Sequence, residues 1–234
     1  MTRSALDQAL KELHENLIKM GTLVEEAIDK SITALKNKDM ALAKQVFEED
    51  DAIDDIEAHI EKLCLNLIAR QQPLAKDLRR ITAALKMITD LERIADNAAD
   101  ISELTLRFAG QKYIKPLIDI PKMAAMTRKM VDMAITSYIY SDLELAYETC
   151  ASDDYVDELF SRIKFELIAI VKENNESVDQ VIDFLLIAKY LERMADHATN
   201  IGEWVIYSIT GEHSHVASHY HKEHLTRNPF DRTD

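Results

Sequence analysis

Glu92 and Asp96 stand four residues apart, and so do Glu192 and Asp196, 100 positions further on. A helix turns about 100° per residue, so four steps return to nearly the same face, about 6 Å along the axis. Asp50 with Asp54, and Asp153 with Asp157, repeat that spacing. Asp100 and Asn200 lie one further turn beyond the first two pairs. Like charges so placed weaken an isolated helix by some tenths of a kcal/mol, about 0.2–0.5 per pair. If neighbouring helices run antiparallel, the pairs can converge into an all-oxygen cage for a hard cation: iron, manganese, magnesium or calcium. The same residues also fit a solvated acidic surface, with Arg93, Arg193 or lysines as intrahelical partners.

The elements that must carry these acids are long helices. Only four Gly and four Pro occur in 234 residues, and Leu, Ile, Ala, Glu and Lys dominate, so the chain is expected to be nearly all helix. The apolar spacing predicts helices over 4–37, 40–70, 73–109, 122–140, 143–173 and 178–210, each rising about 1.5 Å per residue. Asp39 is placed to cap the second helix, and Gly110 and Gly211 to close the third and sixth. Glu92 falls in the seam Leu78, Ile81, Leu85, Ile88, Glu92, Ala95, Ala99. The adjacent row Ala84, Met87, Leu91, Ile94, Ala98 would instead leave it at the edge of the buried face.

The halves repeat. Asp50-Asp51-Ala52-Ile53-Asp54 answers Asp153-Asp154-Tyr155-Val156-Asp157 at an offset of 103, and Leu91-Glu92-Arg93-Ile94-Ala95-Asp96 answers Leu191-Glu192-Arg193-Met194-Ala195-Asp196 at 100. Each half is therefore an antiparallel three-helix unit. The expected division is residues 1–110, then 116–211, joined through Lys115-Pro116 and Ile120-Pro121, then a tail over 212–234. That tail carries five of the eight histidines, a composition that fits transition-metal binding or a mobile terminus.

A net charge of −14 argues against nucleic-acid binding and against electrostatic adhesion to an anionic membrane. It favours cations or basic protein surfaces as partners. Cys64 and Cys150 have no metal-binding or redox spacing and suit a reducing cytoplasm. No signal peptide and no apolar run near the roughly 20 residues of a membrane span is expected. Catalysis finds little support. There is no phosphate-binding Gly loop and no nucleophile–base pair. The Glu-x-x-His spacing that a di-iron bundle needs occurs only at Glu212/His215, in the tail. His197 follows Glu192 by five and is expected to be a surface or half-buried helix residue. Asp77-Leu78-Arg79-Arg80 serves either an anion or partner contact, or capping and surface pairing.

Gln72-Pro73-Leu74-Ala75-Lys76-Asp77-Leu78-Arg79 and the two Leu-Glu-Arg-x-Ala-Asp copies resemble the PhoU family of phosphate-signalling regulators, over about residues 5–210. The resemblance implies an all-α fold of two tandem antiparallel three-helix bundles, six long helices in all, related by a pseudo-twofold and often dimeric. It implies a non-enzymatic negative regulator of phosphate uptake, a homodimer in the cytoplasm, peripheral to the inner face of the membrane. Its partners would be the ATPase subunit of the phosphate ABC transporter and a sensor histidine kinase. It further implies multinuclear metal clusters (iron, or manganese, magnesium, zinc) on Asp50, Asp54, Glu92, Asp96, Asp100, Asp153, Asp157, Glu192, Asp196 and Asn200. Asn97 stands where the family often has His, as at His197, and Asp100 differs from Asn200, so the two sites are expected to be unequal. The alternative is a carboxylate-bridged metalloprotein with redox or metal-storage activity; a bare coiled-coil scaffold is a third.

Overall fold

The apolar stripe that opens the chain folds as α1 (Arg3–Asn37), with Leu13, Leu17, Met20, Val24, Ile28 and Leu35 fully buried along one side. The structure, a computed structural model, describes residues 3–173 and 178–212; the His-rich stretch from 213 onward lies outside the described residues. After α1 come α2 (Met40–Glu49), α3 (Asp51–Gln71), α4 (Ala75–Arg107), α5 (Asp119–Tyr140), α6 (Leu143–Ala151), α7 (Asp153–Glu173) and α8 (Val178–Thr210). Among the described residues all regular structure is helical.

The six expected helices are present, but the second element of each half is broken. In the first half, Glu48, Glu49, Asp50 and Asp51 gather at the junction of α2 and α3. Carboxylates are unfavourable at a helix C-terminus and favourable at an N-terminus, so the acid run ends α2 and starts α3. In the second half, Ser152 Oγ donates to the Glu148 carbonyl at 2.8 Å, competing with the backbone ladder and bending the chain. The breaks put Asp50 and Asp153 at the heads of α3 and α7. The third helix starts at Ala75 and not at Pro73. Gln72 adopts a left-handed conformation (φ 46°) and Leu74 is extended, which turns the chain before the helix begins. The fourth, expected over 122–140 or from an earlier start, begins at Asp119. Asp39 caps α2 as expected: its Oδ1 accepts from the backbone of Ala41 and Leu42 at 3.1 and 3.0 Å.

α1, α3 and α4 pack around one another, and α5, α7 and α8 do the same, with α2 and α6 lying on α4 and α8. One apolar core runs through both halves. Its seam is α4 against α8, and their polar pairs give the direction. Asp90 meets His197 and Asn200, while Asp100 meets Tyr190 ten residues earlier on α8, so the two helices are antiparallel. The connection from α4 to α5 is tied down at both sides. Tyr113 donates its hydroxyl to the Leu35 carbonyl, Ile114 N donates to Gln180 Oε1 at 3.1 Å, and the buried Lys115 ammonium pairs with Glu166. Phe108 stacks on Phe184 and Tyr113 meets both edge-on, with centroids 4.9–5.4 Å apart. Gly202 on α8 lets α6 come close. A Cβ there would stand 2.9 Å from Cys150 Sγ and 3.2 Å from the Ala146 carbonyl.

Candidate functional site

Leu91, Ile94, Ala95 and Ala98 are buried on α4, and this fixes which way Glu92 can point. Glu92 leaves the core at its margin, its side chain 19% exposed, and Glu192 does the same on α8 at 13%. Of the two sequence readings, the edge of the buried face is the observed one.

At that margin the acids of α3 and α4 enter one another's field. Asp50 is pushed up to about 6, first by burial, then by Asp96, Asp54, Asp51 and Asp100. Glu92 rises to about 7, again by burial first and then by Asp96, with Glu57 and Asp54 adding to it and Arg93 opposing. Arg93 is the local counter-charge, 3.3 Å from Glu92 and 3.0 Å from Asp96. The second half repeats the arrangement. Asp153 rises to about 7 through burial, then Asp157, Asp196, Asp154 and Glu192. Asp196 rises to about 6 through burial and Glu192, with Lys189 opposing. Lys189 holds an ion pair with Glu192, as Arg93 does with Glu92.

These are the conditions in which a carboxylate cluster gains from a cation. The donors are all hard oxygens. Several ionise reluctantly, first because they are buried and then because their neighbours are also acids. Asp153 Oδ1 is buried with no hydrogen-bond partner, an acceptor atom left for something to fill. The donors fit such an ion by type and by field. As placed they do not yet close on one point: among the described residues, no three His, Cys, Asp or Glu side chains stand in a metal-holding arrangement.

Asp100 and Asn200 serve the seam between the halves. Tyr190 hydrogen-bonds the Asp100 carboxylate from α8, although Asp100 also adds to the field at Asp50. Asn200 Nδ2 donates to Asp90 Oδ1 at 3.3 Å, and His197 Nδ1 lies 2.8 Å from the same oxygen. Asn97, at the position equivalent to His197, instead donates to its own helix at the Arg93 carbonyl. Two acids escaped the sequence reading. Asp90 anchors the seam. Glu57, one turn beyond Asp54 and bonded to Thr89 at 3.3 Å, joins the first cluster. A count of acids one turn apart along α3 would have found Glu57; nothing in the period marks Asp90.

The two clusters are unequal. Phe160 stands where Glu57 would repeat, so the first cluster is richer in acid. A cavity of about 240 Å³ opens beside Asp50, lined by Leu23, Ala27, Lys30, Glu49 and Ile53 among others. The repeat puts Met126, Met130, Met133 and Tyr155 at the positions of Leu23, Ala27, Lys30 and Ala52, with Met130 and Tyr155 much larger than the alanines they replace. The basic pair at the head of α4 packs the structure. Arg80 Nη2 lies 3.1 Å from His14 Nε2, and the Tyr138 hydroxyl donates to the Arg80 carbonyl at 2.9 Å. The Arg79 guanidinium lies beside Gly211, at the end of α8.

Comparison with known proteins places this geometry. A family model described as the PhoU domain matches residues 17–105 and again 120–205, once per half. A phosphate-specific transport system accessory protein PhoU homolog of Clostridium acetobutylicum is 40% identical over 213 residues, which cover 91% of this chain and 97% of that one. The homolog of Pseudomonas aeruginosa is 31% identical, covering 94% and 91%. The crystal structure of PhoU from Pseudomonas aeruginosa superposes with a TM-score of 0.84 over 88% of this chain and 99% of that one, at 31% identity. That of the phosphate transport system regulatory protein PhoU from Streptococcus pneumoniae gives 0.82 at 28% identity, covering 89% and 99%.

Proposed function

Since the chain belongs to the PhoU family, we propose that it is a negative regulator of phosphate uptake and of phosphate-starvation signalling. It acts as an adaptor without turnover, docking on the ATPase subunit of the phosphate ABC transporter and on a sensor histidine kinase. The observation that carries this reading is the match of both halves, over nearly the whole length of relatives that are named as accessory proteins of the phosphate transport system. No helix among the described residues is long and apolar enough to cross a membrane.

The acid clusters are the cation-loading part of this device. Asp50, Asp54, Glu92 and Asp96 hold the ion in the first half, with Asp100 and Glu57 at its border. Asp153, Asp157, Glu192 and Asp196 hold it in the second. A bound hard cation supplies positive charge where the protein has gathered carboxylates, and draws α3 to α4 and α7 to α8. What the chain contributes is the positioning: two helix breaks that aim Asp50 and Asp153.

Deleting the gene is expected to raise phosphate uptake in phosphate-replete cells several-fold and to switch on phosphate-starvation genes, as read by radiolabelled phosphate uptake and a reporter. Supplying the full chain from a plasmid restores repression. Unchanged uptake and unchanged reporter output would overturn the regulatory reading.

A further inference from the structure

The repeat allows each surface position of one half to be compared with its counterpart in the other, and one face differs in kind. On α7, Phe165 and Ile168 are 67% and 45% exposed. On the adjoining α8, Ile182 and Leu186 are 49% and 38% exposed. The spacings, three and four residues, place each pair on one helix face. The first half carries Lys62, Leu65, Thr82 and Lys86 at these four positions. Three of the four have changed from charged or polar to large and apolar.

The charges at the border change as well. Phe160, Lys164 and Lys189 stand where the first half has Glu57, Glu61 and Thr89. The Lys164 ammonium lies 5.8 Å from the Phe160 ring and 5.7 Å from the Phe165 ring, and the Lys189 ammonium lies 5.6 Å from Phe160. Phe160 thereby links the α7 and α8 sides into one face. Two acids have gone and two cations border the patch, Lys189 as the partner of Glu192, while Asp179 replaces Arg79 one turn before Ile182.

We propose that this α7–α8 face is a docking surface for an amphipathic helix of a partner protein, one whose apolar side is bordered by Asp and Glu. Apolar surface exposed in two adjacent rows is what a helix-in-groove contact covers. Lysines at the border select the sign of the charges that flank the incoming helix. The surface adjoins the second acid cluster, since Lys189 also pairs with Glu192, but its test does not depend on the regulatory reading.

The probe is a capped, fluorescein-labelled helical peptide of about five turns, with Leu at positions i, i+3, i+4 and i+7 and Glu on both flanks. A matched peptide carries Lys in place of Glu. Each is titrated with the full chain and followed by anisotropy. The Glu-flanked peptide binds, and the Lys-flanked peptide binds at least about tenfold more weakly. Phe165→Lys with Leu186→Lys, which installs the residues of the first half, weakens the Glu-flanked peptide by about tenfold or more while circular dichroism and unfolding stay as in the parent. Lys164→Glu lowers affinity for that peptide and raises it for the other. Failure of the Glu-flanked peptide to bind, equal affinity for both peptides, or indifference to the substitutions overturns the proposal. So does light scattering in which the double substitution turns a dimer into a monomer, which would assign the face to a second copy.

Discussion

Asp153→Asn is expected to raise the unfolding temperature of the cation-free protein at pH 8 and to leave it nearly unchanged at pH 4. Asp153 sits at the head of α7 with one oxygen buried and unpartnered, facing Asp157, Asp196 and Glu192. Folding pushes its carboxyl up from 3.8 to about 7. A group raised on folding stabilises the native state below its unfolded value, and that contribution is lost as pH rises through the folded value. Glu92, raised to about 7, and Asp50 and Asp196, raised to about 6, act in the same direction. The cation-free protein therefore loses stability between about pH 4 and pH 7 on this account. His14 gives the opposite limb. Burial, with Arg80 beside it, lowers its imidazole from 6.5 to about 4, so its contribution is lost as pH falls through that interval. Asn keeps the shape of Asp153 and removes its charge, and so it lifts only the alkaline limb. About 2 kcal/mol at pH 8 is expected, discounted from the full linkage value because Asp153 keeps some solvent contact. In a chain of this size that is about 4–8 °C. Urea or thermal unfolding at pH 4, 6 and 8 checks it. A variant no more stable than the parent at pH 8 would show that the cluster carries no electrostatic strain.

Manganese(II) added to cation-stripped protein at pH 7.5 is expected to have the larger effect. At about 100 times the dissociation constant, a ligand of the native state adds about 2.7 kcal/mol per site, or roughly 5–10 °C here. The gain shrinks at pH 5, because protons compete for the same carboxylates. Glu92→Gln with Asp96→Asn removes the share of the first cluster, and Glu192→Gln with Asp196→Asn that of the second. The first share is the more accessible one: Glu57 adds an acid, and a cavity of about 240 Å³ opens beside Asp50. Differential scanning fluorimetry reads all three proteins. No shift in the parent would count against cation loading in either half.

Much of this was legible in the order of residues, because helices of this length are set by local periodicity. The span 178–210 and the cap at Asp39 follow directly from apolar spacing and side-chain chemistry. The doubled acid motif is legible for the same reason, since a four-residue spacing has one meaning on a helix. What the sequence left open depends on contacts between elements. Whether Glu92 lay in the seam or at its edge turned on how α4 rolls against α1 and α8, and period alone admits both. The breaks at Asp50 and Ser152 hide inside continuous helical patterns. In hindsight the four consecutive acids and a serine bonding back one turn mark them. The pairing of Asp90 with His197, and of Asp100 with Tyr190, belongs to the docking of one half on the other. No spacing within a helix encodes it.

Metal stoichiometry is the most direct measurement. Purified protein is stripped with chelator, incubated in turn with ferrous iron and manganese(II), desalted, and assayed by elemental analysis beside the two cluster-disrupted variants. Metal retained by the parent, reduced by each pair of substitutions and abolished when both are combined, is the predicted result. Equal metal content in parent and combined variant, or none in the parent, would contradict the claim that each repeat carries a cation site on its paired acids.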